Sequence, residues 1–191
     1  MKTYLTIILA FVLSYSTLAQ STPQPAETVL KNTYAQAAKE NKKVILIFHA
    51  SWCGWCKKME ASINDPIDSK YFSDNYVVAY LDVQEQPEKK ALENPGNEAV
   101  MKSLNVGEGL PFWFILDAKG NKLADCLMKP DGTPSTAPTD NVGCPASEKE
   151  VDFFVNVLKS TSNLDDNALA IIKTRFRKNE PVATKPTTGT N

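Results

Sequence analysis

The residues best placed to do chemistry are two cysteines with two residues between them, in Ser51-Trp52-Cys53-Gly54-Trp55-Cys56-Lys57. A pair this close can close into a disulfide and open again, so it can hold two electrons and pass them on. Zinc would ask for four ligands. The chain offers one histidine, His49, two further cysteines far downstream and no second C-x-x-C. A purely structural role is weak as well, because neighbouring cysteines close almost no loop and stabilise little. A redox dithiol is the reading the context favours.

That context is a strand running into a helix. Val44-Ile45-Leu46-Ile47-Phe48 is short, aliphatic and rich in β-branched residues, as a buried strand is. After the dithiol, Cys56, Met59 and Ile63 share one face at helical spacing, with Lys57 and Lys58 on another. A helix N-terminus has unpaired N–H groups and a partial positive charge. Both favour a thiolate, lower the cysteine pKa and make it a nucleophile. Cys53, at the helix start, is therefore expected to be the exposed attacking sulfur. Cys56, one turn deeper, is expected to resolve the mixed disulfide. The electrons reside on sulfur, so the reaction calls for no cofactor and no metal.

The 191 residues suggest one domain with additions. Twenty-one Lys and Arg against 22 Asp and Glu leave a net charge of −1 and no basic stripe, which argues against a nucleic-acid partner. Met1-Lys2, the apolar run Leu5 to Leu13, and small residues Thr17 and Ala19 predict a signal peptide over 1–19, cleaved after Ala19. The run is about half of the roughly 20 residues that a spanning helix needs, so a membrane anchor is the weaker reading. No cysteine follows the cleavage point to carry a lipid. The expectation is a periplasmic or secreted protein with no membrane insertion after signal removal.

A polar linker over 20–25 leads to a helix over Ala26 to Asn41, then the Val44 strand and the dithiol helix. Asp65-Pro66 predicts the start of a short helix through Ile67, Tyr71 and Phe72. Tyr76 to Val83 reads as a second strand. One helical turn is expected near Lys89 to Glu93, then a helix capped by Asn97. Leu110 to Leu116 is a strand with proline at its head, where a strand tolerates it. Asp117 to Asn121 forms a hairpin turn, and Lys122 to Met128 returns antiparallel. Lys129 to Pro145 reads as a long surface loop. Ser147-x-x-Glu150 is a capping box that opens a helix. Leu164 to Lys178 is a further amphipathic helix, and 181–191 reads as a disordered tail.

This order of elements, with Trp52-Cys53-Gly54-Trp55-Cys56-Lys57 and Leu110-Pro111 in place, resembles the thioredoxin family. The resemblance runs from about Ala26 to Lys159. It implies an α/β thioredoxin-like fold: a central mixed sheet flanked by helices, over 26–160, with an added C-terminal helical extension over 161–180. It implies that Pro111 is the cis-proline beside the dithiol. Leu110 would then offer its backbone to an extended client segment. Trp52 and Trp55 would flank the pair, by packing or by touching a partner. Cys56-Lys57-Lys58-Met59-Glu60, Asn64-Asp65-Pro66 and the Asp82-Val83 strand end are similar to the secreted or periplasmic branch. That branch includes the thioredoxin-like end domain of bacterial transmembrane thiol-disulfide interchange proteins. The two helices after Pro145 look like extensions found in thioredoxin-like proteins of Bacteroidetes-type bacteria. The resemblance implies a thiol-disulfide oxidoreductase, more a reductase than an oxidase, acting on protein disulfides or thiols and supplied by a membrane electron donor.

The chain also departs from that pattern. The buried acid that many thioredoxins carry six residues before the first cysteine is Ile47 here, and its companion lysine is Tyr80. Glu60, one turn after Cys56, is a candidate for the lost proton-transfer role or a solvated surface glutamate. His49 could stabilise a thiolate or pack at the strand end. Cys126 and Cys144, in an oxidising compartment, suggest a structural disulfide; two free thiols are the alternative. Two other functions compete with exchange: a client-binding module that uses its dithiol little, and a Cu(I) carrier.

Overall fold

The structure is a computed structural model that describes residues 22–129 and 139–181. The expected signal peptide lies outside the described residues, as do most of the tail and the middle of the long loop. Four strands form the main sheet: β1 (Lys43–His49), β2 (Tyr76–Asp82), β3 (Phe112–Leu116) and β4 (Lys122–Asp125), in the order β2-β1-β3-β4. β1 and β2 run parallel, with Val44 opposite Val77 and His49 opposite Asp82. β3 runs antiparallel to both β1 and β4. The sheet is mixed, as expected. β1 and β3 are its centre, and the runs 44–48 and 112–116 are buried throughout, as strands covered on both faces must be.

The helices are α1 (Ala26–Glu40), α2 (Gly54–Ile63), α3 (Ser69–Asn75), α4 (Asn97–Leu104), α5 (Glu148–Thr161) and α6 (Asp166–Arg177). Phe48, Phe112 and Phe114 form a ring cluster on one sheet face. Trp113 points the other way and meets Phe154 of α5, centroids 5.4 Å apart. Phe154 in turn packs on Phe176 of α6 and Phe72 of α3. The two C-terminal helices therefore complete the core, and the predicted capping box on Ser147 and Glu150 is formed.

Three local expectations are corrected. The helix after Pro66 begins only at Ser69, because the Asp65 carboxylate accepts the Ile67 N–H at 3.0 Å and closes a turn instead. Asn97 is the first residue of α4 and not its cap; Gly96 takes that place with φ +82°, a conformation glycine tolerates. The return strand breaks at Cys126, where the Asp125 carboxylate accepts the Leu127 N–H at 3.0 Å. Beyond the break, β5 (Leu127–Met128) pairs with β6 (Asp140–Asn141), so the far end of the long loop comes back as a second small sheet.

Candidate functional site

The dithiol sits where β1 ends and α2 begins, and it is closed: Cys53 and Cys56 form a disulfide with Cα atoms 5.2 Å apart. Cys53 is the N-cap of α2, and its Sγ accepts the Cys56 N–H at 3.1 Å. A sulfur that accepts a backbone N–H is stabilised as an anion. The position thus favours Cys53 as the attacking thiolate once the pair is open. The expectation that Cys53 is exposed is corrected: it shows 4% of its surface against 3% for Cys56. Ala50 is buried with the two cysteines in one cluster, and Leu110 packs against it. The exposed surface there belongs to Trp52 and Trp55, at 47% and 41%.

The segment before the dithiol is held by groups the sequence did not reveal. Glu85, buried in the loop after β2, accepts both the N–H and the hydroxyl of Ser51, at 2.5 and 2.7 Å. The Trp52 indole donates to the Gln84 carbonyl at 2.8 Å. Gln84 has φ +52°. Glu85 lies 34 positions from Ser51, so only the parallel pairing of β1 with β2 brings them together. No local pattern marks such a contact.

Leu110–Pro111 is a cis peptide, as the resemblance implied. A second clamp holds its loop. The Asn141 amide donates to the carbonyls of Glu108, Gly109 and Pro111, at 3.0, 3.1 and 3.3 Å. Its carbonyl oxygen accepts the Gly143 N–H at 2.8 Å. Gly143, at φ +57°, lies against Pro111, where an added Cβ would meet the Pro111 carbonyl at 3.4 Å. A cavity of about 340 Å3 opens between Trp55, Leu110, Asn141 and Cys144, rimmed by Glu108 and Glu150.

Glu60 is exposed on α2, one turn beyond Cys56. No hydrogen bond among the described residues joins it to either sulfur. Its charge reaches Tyr80 and Asp82 on β2. Burial first, and then Glu60, push the Tyr80 hydroxyl up to about 12. Asp82 is also raised, chiefly by burial, against the pull of His49 and with the push of Glu85 and Glu60. His49 Nε2 lies 3.2 Å from Asp82 Oδ1, without hydrogen-bond alignment, and its ring sits 5.1 Å from Tyr80. The position where the family carries its buried acid remains Ile47, fully packed.

Cys126 and Cys144 are both free and buried, so the expected second disulfide is not formed. Each sulfur has its own setting. Cys126 Sγ accepts the Trp113 N–H at 3.5 Å, and Cys144 Sγ accepts from the Asn179 amide at 3.4 Å. Burial pushes both thiols up to about 12. Among the described residues no cluster of three or more His, Cys, Asp or Glu is arranged to hold a metal. No described helix is long and apolar enough to cross a membrane.

A family model described as a thioredoxin-like domain matches residues 30–131. Disulfide bond reductase DsbH of Chlamydia pneumoniae is 29% identical over 124 residues, 60% of this chain and 72% of that protein. A disulphide isomerase from Xylella fastidiosa is similar with TM-score 0.44 and 19% identity, over 61% of this chain and 80% of its own. The oxidised C-terminal domain of Neisseria meningitidis DsbD is similar with TM-score 0.37 and 22% identity, over 55% and 83%. The chain belongs to the thioredoxin-like domain family, and its Cys53–Cys56 pair makes it a thiol-disulfide oxidoreductase.

Proposed function

We propose that the protein reduces disulfides in client proteins outside the cytoplasm. The observation that carries this reading is the Cys53 sulfur at the head of α2, bonded to the Cys56 N–H and set beside Leu110–Pro111. The reductase name of the Chlamydia relative supports the direction. The signal-like N-terminus supports the compartment, periplasmic or secreted.

In the reduced protein the Cys53 thiolate attacks one sulfur of a client disulfide. A mixed disulfide forms, and the other client sulfur leaves as a thiolate and takes a proton. Cys56 then loses its proton, attacks Cys53 Sγ and releases the second client thiol. The client gains two electrons and two protons, and the protein ends with the closed pair seen here. A dithiol protein at the membrane would reopen it. Trp52 and Trp55 give the client an apolar landing surface, and Leu110 gives it a backbone to pair with. Glu60, one turn from Cys56, would take the proton through one water. It stands in for the acid that Ile47 displaces.

The test is the reduction potential of the pair, with Cys56→Ser used to trap clients. A value near about −270 mV, that of thioredoxin, supports a reductase; one near about −120 mV makes the protein an oxidant. Mixed disulfides through Cys53 in the Cys56→Ser variant support exchange. Their absence, with client affinity kept when both cysteines are changed, overturns the enzymatic reading in favour of a client-binding module.

A further inference from the structure

Trp55 stands between the two cysteines and is 41% exposed. An exposed side chain ordinarily turns among several rotamers and loses that freedom when a partner fixes it. The Trp55 indole is already held. Lys58, three residues further along α2 and so beside it on the helix surface, places its ammonium 4.2 Å from the centre of the Trp55 ring. The negative face of an aromatic ring attracts such a cation. The same Nζ donates to the Asn179 carbonyl at 3.0 Å. Among the described residues no carboxylate pairs with Lys58, so the ring and that carbonyl are its two partners.

Asn179 is itself anchored twice. It is buried just past the end of α6, and its side-chain amide donates to the Ser62 hydroxyl of α2 at 3.0 Å. The same amide lies 3.4 Å from the Cys144 sulfur and 3.4 Å from the Pro145 carbonyl. Cys144 and Trp55 both line the cleft of about 340 Å3 beside Leu110. Asn179 therefore ties one lining segment of the cleft to the helix that carries another. Through Lys58, 121 positions earlier, it also reaches the Trp55 ring.

We propose that Lys58 is a positioning residue for client proteins: it holds the Trp55 indole as a preset wall of the cleft, so a client segment docks without first ordering that ring. The proposal rests on the exchange reading above and adds the group that prepares its apolar landing surface. Side chains ordered in advance lower the cost of binding. The effect therefore falls on client affinity and not on the sulfur chemistry. A small disulfide, which reaches the sulfurs without covering Trp55, gains nothing from it. A cation–π contact at an exposed site corresponds to about a two- to fivefold change in an equilibrium constant. Arginine keeps the charge and can stack on an aromatic face. Methionine keeps most of the stem and removes the charge.

The experiment uses the full chain and two substrates. One is insulin, reduced at steady state with dithiothreitol as electron source. The other is hydroxyethyl disulfide, mixed with the reduced protein and followed as a single turnover. The variants are Lys58→Met, Lys58→Arg, Trp55→Leu, and Lys58→Met combined with Trp55→Leu. Lys58→Met should raise KM for insulin about two- to fivefold, with kcat and the rate on hydroxyethyl disulfide unchanged. Lys58→Arg should keep the wild-type KM. In the Trp55→Leu background Lys58→Met should have no further effect, because it acts through the ring. Indole N–H NMR signals read the contact without turnover. Of the three tryptophans, only Trp55, identified by its loss in Trp55→Leu, should shift in Lys58→Met. An unmoved Trp55 signal, an unchanged KM, equal losses on both substrates, or the same Lys58→Met effect with and without Trp55 overturns the proposal alone. A wild type that reduces neither substrate refutes the exchange reading and takes the proposal with it.

Discussion

Asp68→Asn should make the protein more stable at neutral pH than at acid pH, relative to wild type. Asp68 is buried just before α3, and its carboxyl has no hydrogen-bond partner among the described residues. Burial, and then the like charge of Asp65, push it up to about 6 in the fold, against 3.8 as its ordinary value. Folded protein therefore holds the proton more tightly than unfolded protein does. The sign follows: this group's contribution is fully present below pH 3.8 and is lost as pH rises through 6. A shift of two units corresponds to about 3 kcal/mol if fully expressed. The carboxyl itself is hidden, but a cavity of about 270 Å3 against α6, lined in part by Asp68, thins the protein around it and lets solvent screen the charge. About half of that figure, 1–2 kcal/mol, is the sound expectation. Asparagine has the same shape and no charge to desolvate. The assay is urea unfolding of the oxidised protein, followed by tryptophan fluorescence at pH 4, 5.5 and 7.5. The stability of Asp68→Asn minus that of wild type should rise by about 1–2 kcal/mol from pH 4 to pH 7.5. A difference that stays flat, or falls, would show that Asp68 finds a partner in solution and would refute the reasoning.

Three further outcomes follow from the site. Glu85→Ala removes the carboxylate that holds Ser51 through two hydrogen bonds; two hydrogen bonds to a charged group are worth about 3–6 kcal/mol in general, so urea unfolding should shift to lower midpoint and insulin reduction should slow. An unchanged midpoint would mean the clamp is not formed. Asn141→Ala leaves the carbonyls of Glu108, Gly109 and Pro111 without their shared donor; it should cost about 1–3 kcal/mol and weaken client turnover more than the rate with a small disulfide, and equal losses on both would sink the link between this clamp and client binding. Cys126 and Cys144 should resist iodoacetamide at pH 8 in the folded oxidised protein and gain two labels, by mass, once it is unfolded in guanidinium; no labels after unfolding would mean the two had paired.

Much of the fold was legible because its centre is made of uninterrupted apolar runs. Val44 to Phe48 and Phe112 to Leu116 are short enough to read as buried strands and are so in the structure, and the capping box at Ser147 marks its helix. The misreadings share one cause. Asp65, Asp125 and Asn97 are side chains that bond to nearby backbone or side chains in more than one way, and spacing does not say which. At the site, Cys53, Cys56 and Pro111 announced themselves by type and order. Glu85, Asn141 and Asn179 did not, because each reaches its target across a long sequence interval. Cysteine count and compartment likewise could not tell Cys126 and Cys144 apart as thiols from a pair, since each packs into its own niche.

Asn179 follows the last helix by two residues, and its side chain bonds Ser62 near the end of the dithiol helix while its carbonyl accepts from Lys58. Phe154 and Phe176 lie against Phe72, and Phe154 also meets Trp113. The segment that matches the family ends at 131, well before any of these C-terminal partners. An aromatic side chain of this kind hides about 150–250 Å2 of surface, so a fragment cut at that border would put Trp113 and Phe72 into water and leave α2 without its rear support. Kinship by sequence and independence in folding thus have different limits in this chain, and anyone shortening it for expression should keep everything through Asn179.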